Sequence, residues 1–133
     1  MLEFDYLVLP AGRDIASGFH TSLPIIPIEV YSEEVSSYLS YGAIVDSGAE
    51  YCLFDAQIGQ AMGLIIEEGE TVDMKGANGS MFKAYLHEIN YQIGSYRRSA
   101  SVAFTYSMAP GTGILGREGF FNFFIVEMDH RNK

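Results

Sequence analysis

Short apolar segments, each soon ended by glycine, proline or asparagine, are the feature that most limits what this chain can form. Its 14 glycines, nine tyrosines and nine phenylalanines favour strands and tight turns over long helices. The pattern predicts an all-β fold with one or two short helices. The predicted strands are Phe4–Leu9, Pro24–Tyr31, Tyr41–Asp46, Thr71–Lys75, Ser80–Leu86, His87–Ile93, Ala100–Tyr106, Ile114–Gly116 and Phe123–Met128.

The clearest turn signal lies between the fourth and fifth of these strands. Asn-Gly readily adopts the positive φ angles of a β-hairpin turn, so we predict a hairpin here. The four residues of the predicted turn are Gly76, Ala77, Asn78 and Gly79.

One helix is predicted over Asp55–Met62. Asp55 is a suitable N-cap residue, and Gly63 stands where a left-handed residue commonly ends a helix. Ile58, Ala61 and Met62 fall on one face. We also predict a turn over Ser32–Ser40 and a helical turn over Glu118–Phe121.

The length and charge of the chain exclude several classes of function. Its 133 residues fit a single domain, 1–133. With 17 acidic and 8 basic residues the net charge is -9, and the only adjacent basic pair is Arg97–Arg98. A protein surface that binds nucleic acid or an anionic membrane requires clustered positive charge, so we expect neither as a partner.

The N-terminus and the cysteine content predict the compartment. Glu3 and Asp5 stand where a signal peptide carries positive charge. The single cysteine, Cys52, has no partner for an internal disulfide, which fits a reducing compartment. We therefore expect a cytoplasmic protein. The three histidines are scattered without metal-ligand spacing, so we expect no metal and no other cofactor.

The strongest candidate for chemistry is an acid placed directly after an apolar strand. Asp46 follows Ala43-Ile44-Val45 and precedes small residues. A carboxylate in this position must be hydrogen-bonded, paired or protonated, and Gly48 lets backbone N–H groups approach it. A strand-end aspartate that only caps a turn has the same pattern, so the spacing alone leaves both interpretations open.

Other motifs are rejected as functional sites. Gly111–Gly116 matches the G-x-G-x-x-G dinucleotide pattern, but the 17 residues after it leave no room for the helix and second strand that such a site needs. Cys52 has no nearby base and is predicted to be a small buried residue. Ser47 lacks the context of a serine hydrolase nucleophile.

Taken together, the elements resemble the retroviral-type (retropepsin-like) aspartic peptidases. The resemblance runs from about Pro24 to Met128. It rests on Ile44-Val-Asp-Ser-Gly-Ala, on the hairpin with a glycine-rich tip, and on Ile114-Leu-Gly-Arg, in that order. It implies a small closed β-barrel, equivalent to half of an acid protease, with a flap hairpin.

The resemblance also implies roles for individual residues. Asp46 would be the catalytic aspartate, and Ser47, Gly48 and Ala49 would complete the active-site loop. Further roles are a structural ion pair between Glu50 and Arg117, a flap that binds substrate through Gly76, Ala77, Asn78 and Gly79, and a second motif of Ile114, Leu115 and Gly116.

Because the chain has one Asp-Ser-Gly-Ala and the mechanism needs two aspartates, the resemblance implies a homodimer that cleaves an extended peptide or protein substrate. Phe123–Met128 is a candidate element of the dimer. The alternative is a catalytically silent domain of the same fold that binds peptides or dimerises, since fold alone does not establish activity.

Overall fold

Strands make up most of the computed structural model, which describes residues 2–10, 20–76 and 78–131. These residues contain nine strands, one six-residue α-helix and one short 3-10 helix. In chain order the elements are β1 (Leu7–Pro10), β2 (His20–Leu23), β3 (Ile25–Ser32), β4 (Ser37–Val45), β5 (Leu53–Asp55), α1 (Ala56–Ala61), the 3-10 helix (Ile66–Glu68), β6 (Glu70–Lys75), β7 (Met81–Ile93), β8 (Tyr96–Thr105) and β9 (Thr112–Leu115). Among the described helices, none has the length and apolar character needed to cross a membrane.

Six strands form a closed barrel, in the order β3-β4-β9-β5-β8-β7. The ring closes because β7 pairs back onto β3, at Glu29↔Gln92 and Val30↔Tyr91. Strand β6 pairs with β7 outside the ring, and β1 and β2 form a separate two-stranded sheet. The predicted all-β barrel is therefore confirmed.

The core fills the inside of this barrel because side chains alternate across each strand. On β3, Ile26, Ile28 and Val30 are buried while the residues between them are less so. On β4 the same alternation buries Tyr41 and every second residue after it. Asp46 follows the last residue of β4, in the loop that leaves this strand.

Three local signals were predicted correctly. Asp55 caps α1, since its side chain accepts a hydrogen bond from Ile58 N–H. Gly63 follows the helix with φ +91° and Gly79 turns the hairpin with φ +85°, both in the left-handed region that favours glycine. Ala77 lies outside the described residues.

The predicted face of α1 is confirmed in part. Met62 is buried and Ile58 packs against the core, whereas Ala61 is exposed. Ala56 and Gly59 are also buried. The reason is close packing, since a Cβ at Gly59 would lie 2.6 Å from Ile66 Cδ1 and 2.8 Å from Phe104 Cδ1. Gly59 therefore faces the core, although a search for apolar side chains at helical spacing does not count a glycine.

Two strand boundaries were also predicted wrongly. Half of the polar segment Ser32–Ser40 is strand, because Ser37–Ser40 belong to β4 and pair with β3. The predicted strands Ser80–Leu86 and His87–Ile93 are one strand, β7, of 13 residues. Its first part pairs with β6 and its second part with β8, so the pairing partner changes where no turn occurs.

Both ends of the chain depart from the predicted strands. Strand β1 begins at Leu7 and not at Phe4. Phe123–Met128 is not a strand, since it has no ladder partner in the described structure, although Phe124 and Val126 pack against the core. Glu118–Phe121 forms turns and not a helix.

One chain crossing follows directly from the strand order. Strands β4 and β5 are consecutive in the chain, yet β9 lies between them in the sheet. The connection formed by residues 46–52 must therefore pass over the end of β9. Backbone hydrogen bonds hold the crossing, from Asp46 N–H to Leu115 O at 3.0 Å and from Arg117 N–H to Ala49 O at 2.9 Å.

Gly116 lies at the crossing point, where there is no space for a side chain. A Cβ there would lie 2.3 Å from Tyr51 O and 2.8 Å from Ala49 O. Both obstacles are backbone atoms of the crossing segment, so neither can rotate away as a side chain could.

Gly116→Ala should therefore destabilise the fold by about 3 kcal/mol or more, at the upper end of the usual cost of overpacking. Urea unfolding monitored by tyrosine fluorescence measures the change.

Gly42→Ala is the matched control, because Gly42 lies on the same β4–β9 ladder and its Cβ would meet only Ile25 Cγ2, at 3.4 Å. We expect it to be close to neutral. Equal stability of the two variants would contradict the tight crossing.

Candidate active site

Asp46 lies directly after β4, at the start of the crossing segment. Its side chain is exposed, as are Ser47 and Gly48. Gly48 N–H donates to Asp46 Oδ1 at 2.9 Å, and Ala49 N–H donates to Asp46 O at 3.2 Å. A Cβ at Gly48 would lie 3.2 Å from Asp46 Oδ1, so glycine allows this close approach of the backbone. The loop thus presents a carboxylate to solvent in a fixed orientation.

The second motif lies against this loop. Leu115 and Gly116 are buried, and Ile114 is half-buried. Strand β9 runs parallel to β4, with Ile114 opposite Ile44 and Leu115 opposite Val45. The structure therefore brings together the two motifs that are about 70 residues apart in the sequence, as the closed barrel requires.

Glu50 and Arg117 lie in neighbouring segments. Both side chains are exposed. The contact between the segments is made by the backbone, since Glu118 N–H donates to Glu50 O at 2.8 Å and Tyr51 pairs with Glu118 in a parallel bridge. The ion pair between Glu50 and Arg117 stays a prediction.

The hairpin of β6 and β7 carries the other predicted site residues at its tip. Gly76 N–H donates to Ser80 O at 2.8 Å, and Asn78 Oδ1 accepts from Ser80 N–H at 3.0 Å. Asn78 and Gly79 are exposed, and Gly76 is half-buried. The tip is therefore a closed turn whose backbone is held by its own hydrogen bonds.

A second apolar cluster connects this hairpin to both motifs. Its buried centre is Leu53, Ala84 and Ala103. The half-buried side chains packed against this centre are Tyr51, Met74, Phe82, Leu86, Met108 and Ile114. They come from the crossing segment, the hairpin, the loop after β8 and the second motif. Sequence reasoning missed this cluster, although the alternation of Val72 and Met74 with exposed neighbours on β6 is a signal for it.

Cys52 lies underneath the crossing and is fully buried, as predicted. Its Sγ accepts a hydrogen bond from Gly116 N–H at 3.4 Å. Burial raises the pKa of the thiol from 9.0 to about 11, against the smaller opposite effect of the Gly116 N–H. The thiol is therefore neutral at physiological pH. Its Sγ contacts the second motif through the Gly116 N–H.

Within the described ranges, no three His, Cys, Asp or Glu side chains are close enough together to hold a metal ion.

A closed barrel with an exposed aspartate at a chain crossing fits the class of aspartic peptidase folds. A family model described as aspartyl protease matches residues 34–118, which is more than half of the chain. The chain belongs to this aspartyl protease family, within the retropepsin-like clan. The match includes the Asp46 loop, the hairpin and the second motif. Among curated proteins, no similar sequence was found.

The burial of Cys52 predicts a loss of stability at alkaline pH. The unfolded chain releases the thiol proton near the ordinary pKa of 9.0, whereas the folded chain keeps it until about pH 11. The free energy of unfolding should therefore fall between these values, by about 1.4 kcal/mol per pH unit from this group.

Cys52→Ala isolates this contribution, because the variant keeps every other titrating group. The stability difference between the parent and the variant, measured by urea unfolding at several pH values, should shrink from pH 8 to pH 11. A constant difference would show that the thiol ionises equally in both states.

Proposed function

We propose that this protein is an aspartic endopeptidase that acts as a homodimer. The observation that carries the proposal is the exposed Asp46 carboxylate, held at the chain crossing in a domain of the aspartyl protease family. In the dimer, Asp46 of each chain contributes one carboxylate to the active site. The whole chain, 1–133, forms the single domain of each subunit.

The chemistry of the pair follows from electrostatics. Two carboxylates a few ångströms apart cannot both be ionised, so they share one proton. The ionised carboxylate takes a proton from a water molecule, and this water attacks the peptide carbonyl carbon. The protonated carboxylic acid donates its proton to the carbonyl oxygen. The apparent pKa values then belong to the pair and not to one residue.

The C-terminal segment, Phe123–Met128, is the element that we propose for the dimer interface. Phe124 and Val126 anchor it to the core, and Arg98 lies over the Phe124 ring at 5.1 Å. The alternation leaves Phe123 and Ile125 on the outer side, with Ile125 fully exposed. A segment with an anchored inner side and an apolar outer side is suitable for pairing with its own copy.

The substrate is proposed to bind as an extended peptide between the hairpin and the Asp46 loops. Gly48 O would accept a backbone hydrogen bond from it, and the hairpin tip, with Gly76, Ala77, Asn78 and Gly79, would act as the flap. The second apolar cluster offers half-buried Met and aromatic side chains to the residues that flank the scissile bond. We therefore expect a preference for apolar side chains there.

The competing proposal is a silent domain that binds peptides or dimerises without cleavage. It is favoured by the hydrogen bond from Gly48 N–H to Asp46, which is also the bond of a turn-capping aspartate. The two proposals predict different effects on cleavage when the Asp46 carboxylate is removed.

Asp46→Asn should reduce the cleavage of an unfolded protein by about a thousandfold or more, because an amide can neither share a proton nor activate water. Asparagine keeps the oxygen that accepts from Gly48 N–H, so the fold and the thermal midpoint should not change. Cleavage of a denatured, fluorescently labelled protein across pH 4–8 measures the activity.

The control is Glu33→Gln, which makes the same charge change on an exposed turn residue. If both variants cleave as well as the parent, Asp46 is not the catalytic residue and the proposed function fails. If the parent neither cleaves nor binds a transition-state inhibitor of aspartic proteases, the silent domain is the better proposal.

Ile125→Glu should weaken the dimer without affecting the fold of each chain. An unpaired charge in an apolar interface costs several kcal/mol, so we expect the dimer Kd to rise about a hundredfold or more. Analytical ultracentrifugation measures the Kd, and activity should recover when the protein concentration is raised. Val35→Glu is the control, since Val35 is an apolar turn residue that is 56% exposed. An unchanged Kd in the first variant would place the interface elsewhere.

A further inference from the structure

A second aspartate, Asp55, is buried in the barrel wall and has no place in the chemistry described above. Only 3% of Asp55 is exposed. Tyr41 O–H donates to its Oδ2 at 2.7 Å, and Gly111 N–H donates to the same oxygen at 3.4 Å. Ile58 N–H donates to Oδ1 at 3.2 Å. Both carboxylate oxygens are therefore satisfied, which offsets the cost of burial.

The positions of the first two donors explain why this carboxylate matters. Strands β4 and β9 form a parallel ladder from Gly42↔Thr112 to Val45↔Leu115. Tyr41 and Gly111 each stand one residue before the first pair of this ladder. One buried carboxylate thus binds both strands at the same end.

The opposite end of the ladder leads to the candidate active site. The residue after Val45 is Asp46, and its N–H donates to Leu115 O at 3.0 Å. The residue after Leu115 is Gly116, which lies under the crossing. The register of four residue pairs therefore determines where the Asp46 loop meets the second motif.

The apolar pattern alone does not determine this register. A shift of β4 by two residues would keep the same face inward, because side chains alternate with a period of two. The Tyr41 ring is specific for one register, since it packs on Phe54 with centroids 5.1 Å apart and leaves no space for a Cβ at Gly113, which would lie 2.6 Å from Tyr41 Cε2. The bond from the Tyr41 hydroxyl to Asp55 fixes the ring in this place.

The hydroxyl group is suited to remain a donor. Burial raises the pKa of Tyr41 above its usual range, so the phenol keeps its proton. Asp55 N–H in turn donates to the Tyr41 hydroxyl oxygen at 3.2 Å, which fixes the orientation of that hydroxyl group.

We propose that Asp55 and Tyr41 are positioning residues that set the register of β4 against β9 and thereby place the Asp46 carboxylate. The catalytic part of this inference rests on the proposed function of Asp46. The structural part does not, because it concerns the hydrogen bond at the far end of the ladder.

Tyr41→Phe tests the inference by removing one oxygen and keeping the ring. We expect faster hydrogen exchange of the Asp46 amide, by about tenfold beyond the change in global stability, with the Ala103 amide as an internal reference. Ala103 N–H donates to Cys52 O, and neither residue belongs to the β4–β9 ladder. In the active dimer kcat should fall, by up to about 100-fold for a displaced catalytic group, while KM changes little.

Tyr91→Phe is the matched control, because Tyr91 is also buried and its hydroxyl donates to Gly119 O. It lies on β7, which pairs with neither β4 nor β9. The control should lose stability without a selective change at the Asp46 amide or in kcat. Asp55→Asn is the second variant: it keeps an oxygen for the Ile58 cap, and we expect it to reproduce the effects of Tyr41→Phe.

The outcomes separate this inference from the proposed function. The positioning role is wrong if, for the same loss of stability, Tyr41→Phe changes the Asp46 amide exchange and kcat no more than Tyr91→Phe does. If Asp46→Asn cleaves as well as the parent, the proposed function fails, and the hydrogen exchange of the Asp46 amide still decides whether Asp55 sets the register.

Discussion

The absence of a side chain at residue 116 is the constraint on which the rest of the structure depends. Strand β9 can lie between β4 and β5 only if the segment joining them passes over its end, and Gly116 allows the two backbones to touch. This contact holds the Asp46 loop against the second motif. A larger residue would separate the segments, and Asp46 would lose its fixed position relative to the barrel.

The parts of the fold that depend on local chemistry were predictable from the sequence. The Asp55 cap, the Gly63 helix end and the turn at Gly79 each depend on a few consecutive residues. The pairing of the strands was not predictable in this way. The barrel closes through Glu29 and Gln92, which are 63 residues apart. No local pattern in either segment identifies the strand with which it pairs.

The candidate site shows the same division. Asp46, Gly48 and the second motif were found from their local patterns and from the order of these patterns along the chain. The buried link from Tyr41 to Asp55 was not found, because the two residues are 14 positions apart and Asp55 was already explained as a helix cap. One carboxylate has two roles here, and only the three-dimensional structure shows the second.

The two arms of the hairpin are attached to the barrel in different ways. The 13 residues of strand β7 form first one arm of the hairpin and then part of the barrel wall, without interruption. The other arm, β6, is joined to the barrel through a short 3-10 helix and Gly69. The tip is therefore continuous with the barrel wall through β7, and a displacement of the tip would twist this strand. One uninterrupted strand therefore belongs to both the barrel wall and the hairpin.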